Sequence, residues 1–335
     1  MVKRILKLDE VENLAIKALV DSGTLPESAK SMGKAIRAAE RDGIRSHGLI
    51  YIPTYCEHVI CGKVNGNAVP ELKKSRLSSI QIDAKSGFAH PAIDLGFKEI
   101  LSIVKYSGCG VITVKNSYNC GVLGFHVERI AELGLLGIGF TNSPASIAPY
   151  GGKKPVIGTN PIAIAVPDKT GGISFVIDQS ASVIAKSEIL MHARKKTNIP
   201  EGWALDEDGK PTTDPEIALK GSMVPSGGYK GFLSGLFVEV MAAALSGAML
   251  GIEASPFSGK LGGPPKTGQC FFAIDPYAFS GKEFFEKIDD LVEAISVQHS
   301  ARLPGERRKN YRKMTELKGV EVDEKIIENI MSFCK

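Results

Sequence analysis

Apolar residues recur at helical spacing through the first sixty positions. After Asp9, a candidate cap, Val11, Leu14, Ala15, Ala18 and Leu19 follow the i, i+3, i+4, i+7, i+8 series of one buried face, and Gly23 and Pro26 close the run. A second helix is expected after Pro26, with Met32, Ala35, Ile36 and Ala39 inward, ending at Gly43; a third starts near Pro53 and reaches Gly62. From about residue 78 the period shortens. Residues 79–83 alternate, and 110–114, 136–140, 162–166, 175–178 and 270–274 are apolar runs of strand length bounded by Gly, Pro, Asn and Ser. Helical stretches lie between them at 91–107 and 123–133, with others at 232–246 and 282–297. The fold class is therefore α/β, with residues 1–77 and 283–335 as a helical layer and 78–282 as the core. Residues 195–230 read as a polar surface excursion, 255–268 as a Gly/Pro-rich loop, and the tail 320–335 as an amphipathic helix.

Composition narrows the function classes. The 335 residues are 43% hydrophobic and 23% charged, which suits a globular protein and excludes a disordered one. A net charge of +4 is spread along the chain, and one Trp and eight Tyr offer little stacking surface, so no nucleic-acid partner is expected. The most membrane-like run, 231–251, contains Ser234, Glu239 and four glycines and reads as a buried core helix rather than a span, so no membrane partner is expected. Six cysteines without a C-x-x-C pair suggest reduced thiols, no disulfide framework and no metal site. The N-terminus lacks an apolar segment of signal-peptide length, and a cytoplasmic location is expected.

Gly43-Ile44-Arg45-Ser46-His47-Gly48 follows the second helix and carries a histidine able to exchange a proton near neutral pH, with a serine beside it to orient the ring. A capping or packing histidine is the alternative reading. Neither G-x-G-x-x-G nor a Walker-A sequence occurs, so a dinucleotide is not cradled by a Rossmann turn. Gly121 instead opens a helix at Leu123 and can offer its N-terminus to a phosphate, although such turns also serve simply to reverse strands.

These segments, with Gly87-Phe88-Ala89-His90-Pro91-Ala92, Asn142-Ser143-Pro144, Pro149-Tyr150-Gly151-Gly152-Lys153, Gly158-Thr159-Asn160-Pro161, Pro211-Thr212-Thr213-Asp214-Pro215 and Gly228-Tyr229-Lys230-Gly231, resemble the malate/L-lactate/sulfolactate dehydrogenase family in order and wording. The family also holds ureidoglycolate dehydrogenase, diketogulonate reductase and the piperideine-2-carboxylate/pyrroline-2-carboxylate reductases. The resemblance runs from about residue 8 to 333. It implies a non-Rossmann NAD(P)-binding fold, a homodimer whose helical layer serves substrate binding and dimerisation, a cofactor-binding core, and hydride transfer between NAD(P)H and a small anionic 2-oxo or 2-hydroxy acid. By the same resemblance His47 is the proton donor, Ser46 its relay partner and Glu188 an acidic relay. Tyr51, Thr159 and Lys186 fall at substrate positions. Asn119, Cys120, Gly121, Val122, Leu123, Ile177, Asp178, Gln179, Tyr229, Lys230, Arg302, Gly305, Arg307 and Arg308 fall at cofactor positions. The arginines near Pro304 suit a 2′-phosphate and tip the choice between NAD and NADP toward NADP.

Two departures bear on the substrate. Tyr51 stands where most members have an arginine able to grip a carboxylate with a bidentate fork, and Asn119 stands where many have a histidine. A phenol carries no charge at neutral pH, so Lys186, Arg45 and Arg194 become candidates to hold the acid group. The surrounding wording is nearest to the sulfolactate dehydrogenases and cyclic imino-acid reductases. The leading expectation is a 2-hydroxy acid dehydrogenase of the malate, lactate or sulfolactate class. The alternatives are an NADPH-dependent cyclic imino-acid reductase and a degenerate nucleotide-binding sensor.

Overall fold

The computed structural model describes residues 2–335. The chain opens with a short strand, β1 (Lys3–Leu6), and three helices, α1 (Leu8–Asp21), α2 (Pro26–Arg41) and α3 (Ile52–Ile60). Helix α1 begins one residue before the expected cap: Asp9 lies inside the first turn, and Glu10 folds back to accept from the Lys7 N–H at 2.7 Å. The apolar faces of these helices, with Val11, Leu19, Met32, Ile36 and Ile52 fully or almost fully buried, form one hydrophobic cluster.

The sheet follows. In order come β2 (Glu71–Arg76), β3 (Ser79–Asp83), α4 (Ala89–Ser107), β4 (Cys109–Ser117), α5 (Leu123–Ala131), β5 (Leu136–Thr141), β6 (Ile162–Pro167) and β7 (Ile173–Gln179). The chain continues with α6 (Lys186–Lys195), β8 (Ala204–Leu205), β9 (Pro211–Thr212), α7 (Pro215–Lys220) and β10 (Ser222–Met223). It ends with α8 (Tyr229–Glu239), β11 (Thr267–Ile274), α9 (Lys282–Ser296), α10 (Glu306–Lys318), β12 (Val320–Asp323) and α11 (Glu324–Met331). The large sheet has the order β2-β3-β4-β11-β5-β6-β7. Strands β3 and β4, joined through α4, run parallel, and the other neighbours run antiparallel. Such a mixed sheet differs from the parallel, doubly wound sheets that hold nucleotides at a strand-order switch. Helices α4 and α5 cover one face, burying Ile93, Phe97, Ile100, Val127 and Ile130 against Ile112, Val114 and Phe271.

Three sequence expectations are corrected. The boundary at residue 77 falls between β2 and β3, which pair antiparallel, so the sheet begins at Glu71. Residues 195–230 are not a bare excursion. They carry α7 and the small sheet β10-β8-β9, whose Ala204, Ala218 and Met223 form a separate buried cluster with Ile147, Ile157 and Ile189. The tail is not one helix, because Val320–Asp323 pairs antiparallel with Lys3–Leu6 and ties the two ends of the chain together. The arginine segment after Pro304 is helical, α10. The apolar run 231–251 includes a π-helical turn at Val240–Ala244 that follows directly from α8.

Candidate active site

The turn bearing His47 is built from beneath. Glu40, near the end of α2, is buried, and its carboxylate accepts from the Leu49 N–H at 2.7 Å. Burial raises the Glu40 pKa, and the Leu49 N–H opposes the rise. Only glycine admits this arrangement at position 48, because a Cβ there would stand 2.1 Å from Glu40 Oε1. The chain thus makes a tight helical turn over Arg45–His47 and another over Leu49–Tyr51. Ser46 Oγ lies 3.0 Å from His47 Nδ1. That hydroxyl can accept from a protonated ring or donate to a neutral one, leaving Nε2 as the nitrogen for chemistry.

Three distant segments meet at this histidine. Asp178, near the end of β7, pairs with Arg308 of α10 at 2.5 Å and accepts from the Gly124 N–H at 3.0 Å, in the first turn of α5. A Cβ on Gly124 would lie 2.4 Å from Arg308 and 2.7 Å from Asp178, so the three groups interlock through the absence of a side chain. Gly305, at positive φ, lays the preceding loop on the Val176 backbone, and Val176 N–H donates to Pro304 O at 3.3 Å. Burial lowers the His47 pKa; the Asp178 carboxylate pulls it back up and the Arg308 guanidinium pushes it down.

The loop 119–122 closes one side. Gly121 adopts positive φ, and Val122 is the N-cap of α5; its apolar side chain caps nothing, and the Asp178 carboxylate takes the Gly124 N–H instead. Asn119 Oδ1 accepts from Gly121 N–H at 3.2 Å and from Tyr55 Oη at 3.0 Å. Tyr51 packs edge-on to Tyr55 with centroids 4.7 Å apart. Burial holds the Tyr51 phenol above its ordinary pKa, opposed by hydrogen bonding with Tyr118 and Asn119. The environment around Tyr51 is therefore neutral and aromatic. Cys120 is turned into the core with its thiol pushed up to about 12 by burial, so it serves the loop through its carbonyl, which accepts from His126 Nε2 at 2.9 Å.

The expected site residues divide into those that converge and those that lie elsewhere. Ser46, His47, Asp178, Arg308, Gly305 and the segment 119–123 come together, and Ile177 and Gln179 flank Asp178 on β7. Thr159 lies beside the segment that leaves β7, its carbonyl accepting from Ala181 N–H at 2.8 Å. Lys186 and Glu188 lie on α6, and the charges that act on His47 come from Asp178 and Arg308 instead. Tyr229 and Lys230 begin α8, exposed, with Tyr229 edge-on to Tyr150 at 6.1 Å. Arg302 and Arg307 are exposed and carry no ion pair among the described residues. Glu40 and Gly124 were missed as site-builders from sequence; the E-R-D-G-I-R-S-H-G spacing holds the first, but no local pattern marks the second.

The chain was also compared with known proteins. A family model described as malate/L-lactate dehydrogenase matches residues 6–331. The chain is 38% identical over 330 residues to a (2R)-3-sulfolactate dehydrogenase (NADP(+)) of Chromohalobacter salexigens, covering 98% of each. It is 35% identical over 331 residues to delta(1)-pyrroline-2-carboxylate reductase 1 of Burkholderia ambifaria, covering 98% of this chain and 97% of the relative. The crystal structure of delta1-piperideine-2-carboxylate reductase from Pseudomonas syringae superposes with a TM-score of 0.92 at 30% identity, covering 98% of this chain and 99% of that one.

Proposed function

Because this chain belongs to the malate/L-lactate dehydrogenase family, we propose that it is an oxidoreductase transferring hydride between NADPH and the carbonyl of a small 2-oxo acid, with His47 as the acid that protonates the new hydroxyl. The observation that carries this reading is that Asp178, the charge that favours a protonated His47, joins Arg308 of α10 and the first turn of α5 at one place. Asn119–Leu123, Gly305 and Arg308 would hold the cofactor. The α5 N-terminus carries a partial positive charge, and the backbone N–H groups beside the one that Asp178 takes suit a diphosphate; the unpaired Arg302 and Arg307 suit a 2′-phosphate. The fit needs no Rossmann turn. Bound cofactor supplies the hydride, and the remaining work falls to the chain. Ser46 orients the ring, Asp178 favours its protonated form, and Nε2 delivers the proton to a developing alkoxide.

Asp178 is the carboxylate of this relay within the chain, and Glu188 on α6 is a second candidate that mutation separates from it. Thr159 and Lys186 are proposed substrate contacts, and Tyr229 and Lys230 cofactor contacts. A homodimer is proposed to cover the exposed apolar face of α8, where Leu233, Leu236, Phe237 and Val240 face outward. A charge introduced by Phe237→Glu would then give monomers in sedimentation velocity.

Similarity to reductases of pyrroline-2-carboxylate and piperideine-2-carboxylate supports a second reading of the substrate, a cyclic imino acid reduced at its ring C=N. Sulfopyruvate, oxaloacetate, pyruvate, piperideine-2-carboxylate and pyrroline-2-carboxylate, each followed by NADPH and NADH absorbance, separate the two. Turnover of a 2-oxo acid that is abolished in His47→Ala supports the first reading, and turnover of the imines alone supports the second. Binding of NADPH without turnover of any would leave a nucleotide-binding sensor.

A further inference from the structure

A carboxylate lies buried far along the chain from the catalytic histidine and takes part in none of the chemistry above. Glu239 closes α8 where the helix passes into its π-helical turn. It is 5% exposed. Its Oε1 accepts from Asn142 Nδ2 at 3.2 Å and from the Gly251 N–H at 2.6 Å, and its Oε2 accepts from Asn160 Nδ2 at 2.6 Å. All three donors are neutral. Burying an anion without a cation is costly and needs a purpose or exact compensation by hydrogen bonds.

The two asparagines carry that anchor outward. Asn142 Oδ1 accepts from the Gly268 N–H at 2.8 Å, fixing the end of β5 to β11. Asn160 Oδ1 accepts from the Ser143 N–H at 3.2 Å while its Nδ2 also donates to Gly235 O at 2.9 Å, so every polar atom of its amide is committed. Asn160 holds a left-handed backbone, φ +36°, which its side-chain bonds help to maintain. Ser143 Oγ in turn accepts from the Thr159 N–H at 3.0 Å and lies 3.3 Å from Thr159 Oγ1. Gly158 permits this contact, because a Cβ there would stand 2.2 Å from Ser143 Oγ. The hydroxyl of Thr159 is thus the end of a chain of bonds that starts at Glu239.

We propose that Glu239 is a positioning residue for the substrate: its buried carboxylate fixes Asn142 and Asn160, and through Ser143 sets where the Thr159 hydroxyl meets the acid substrate. The inference rests on Thr159 being a substrate contact. It makes a directional demand. In Glu239→Gln the amide must keep its oxygen toward Asn142 and the Gly251 N–H, since a backbone donor cannot reverse, and so turns its NH2 on the Asn160 NH2. Asn160 can relieve the clash only by flipping, which sets its own NH2 against the Ser143 N–H and releases Ser143 and Thr159.

Adding Asn160→Asp to Glu239→Gln moves the negative charge across the same hydrogen bond and restores an acceptor for Ser143, while setting a carboxylate oxygen against Gly235 O, so only partial recovery is expected. The expected result for Glu239→Gln is a rise in KM for the 2-oxo or imino acid of about tenfold, the order expected from one buried unpaired donor, with the NADPH dissociation constant within about twofold of wild type. Amide exchange by mass spectrometry should quicken in peptides spanning residues 142–160, and the double variant should recover part of both effects. Unchanged exchange in Glu239→Gln overturns the inference whatever the kinetics show. So does an equal loss of substrate and NADPH affinity. If exchange responds and is rescued but Thr159→Ala leaves KM unchanged, the anchoring by Glu239 stands and the substrate role of Thr159 fails.

Discussion

At His47, burial disfavours the charged ring while the charge of the Asp178 carboxylate favours it. The net pKa lies below the ordinary histidine value of 6.5. In the reducing direction the protonated ring is the active form, so kcat/KM should hold at low pH and fall as pH rises through a value below 6.5. The oxidising direction should show the mirror image. Asp178→Asn removes the group that raises the His47 pKa and leaves Arg308 to lower it, so the falling limb should move to still lower pH. Glu188→Gln should leave the limb in place, since Glu188 is not among the charges acting on His47. His47→Ala should cost 10²-fold or more, roughly the usual contribution of a general acid. Gly48→Ala should also lose activity while retaining the fold, because its Cβ would force the Glu40 carboxylate away from Leu49 and release the turn that aims the ring. Steady-state pH profiles of the four variants check these outcomes together.

The elements that bring His47 to Asp178 are tied by charge as well as by packing. Arg312 on α10 donates twice to Asp42 at the end of α2, at 2.9 and 2.7 Å, and once to Glu128 of α5 at 2.7 Å. Burial alone would raise the Asp42 carboxyl, but hydrogen bonds from Arg312 and Arg41 outweigh it and hold the group below the usual carboxylate range. Arg312→Ala leaves two buried carboxylates facing each other, and the loss of stability should be on the order of 3 kcal/mol, near the lower end for removing one partner of a buried pair because Arg312 is partly exposed. Urea denaturation at pH 7 measures it, and the NADPH affinity should fall in parallel as α10 loosens over Arg308. The sequence made the helices α1 to α5 and the central strands legible because their apolar period is local. It did not reveal β1, β12 or β2, whose short polar segments become strands only by pairing with partners. The pairing of β1 with β12 spans more than 300 residues of chain, a relation no window of sequence contains. His47, Ser46 and Asp178 were legible as motif positions. The roles of Glu40, Glu239 and Gly124 were not, since each acts on a group that the fold brings from another segment.

Across the whole molecule, the larger part of the acid response should come from histidines that take no part in the reaction. His90 and His126 lie side by side under the loop 119–123, both fully buried, with ring centroids 5.2 Å apart. Neither Nδ1 has a hydrogen-bond partner among the described residues. Burial lowers the His90 pKa to about 4, with Asp94 raising it and Arg129 lowering it, and burial together with the charges of His90 and Arg129 lowers His126 well below its ordinary value. Both rings therefore fold neutral and charge readily only when the chain unfolds. The unfolded state binds the extra protons, so stability is full above about pH 6.5 and is lost as pH falls toward 4. For His90 alone the shift of about 2.5 units corresponds to about 3 kcal/mol across that window. Glu40 and Glu128, whose carboxyls burial raises, act in the opposite sense, because protonation relieves them as pH falls. The histidine contribution is isolated by difference. Urea midpoints of wild type and His90→Gln, taken at half-unit steps from pH 7.5 to 4.5, should diverge below 6.5, the variant losing less stability per pH unit. Parallel curves would mean that His90 is as easily protonated in the folded chain as in the unfolded one, and the acid lability would then have to be sought among the carboxylates.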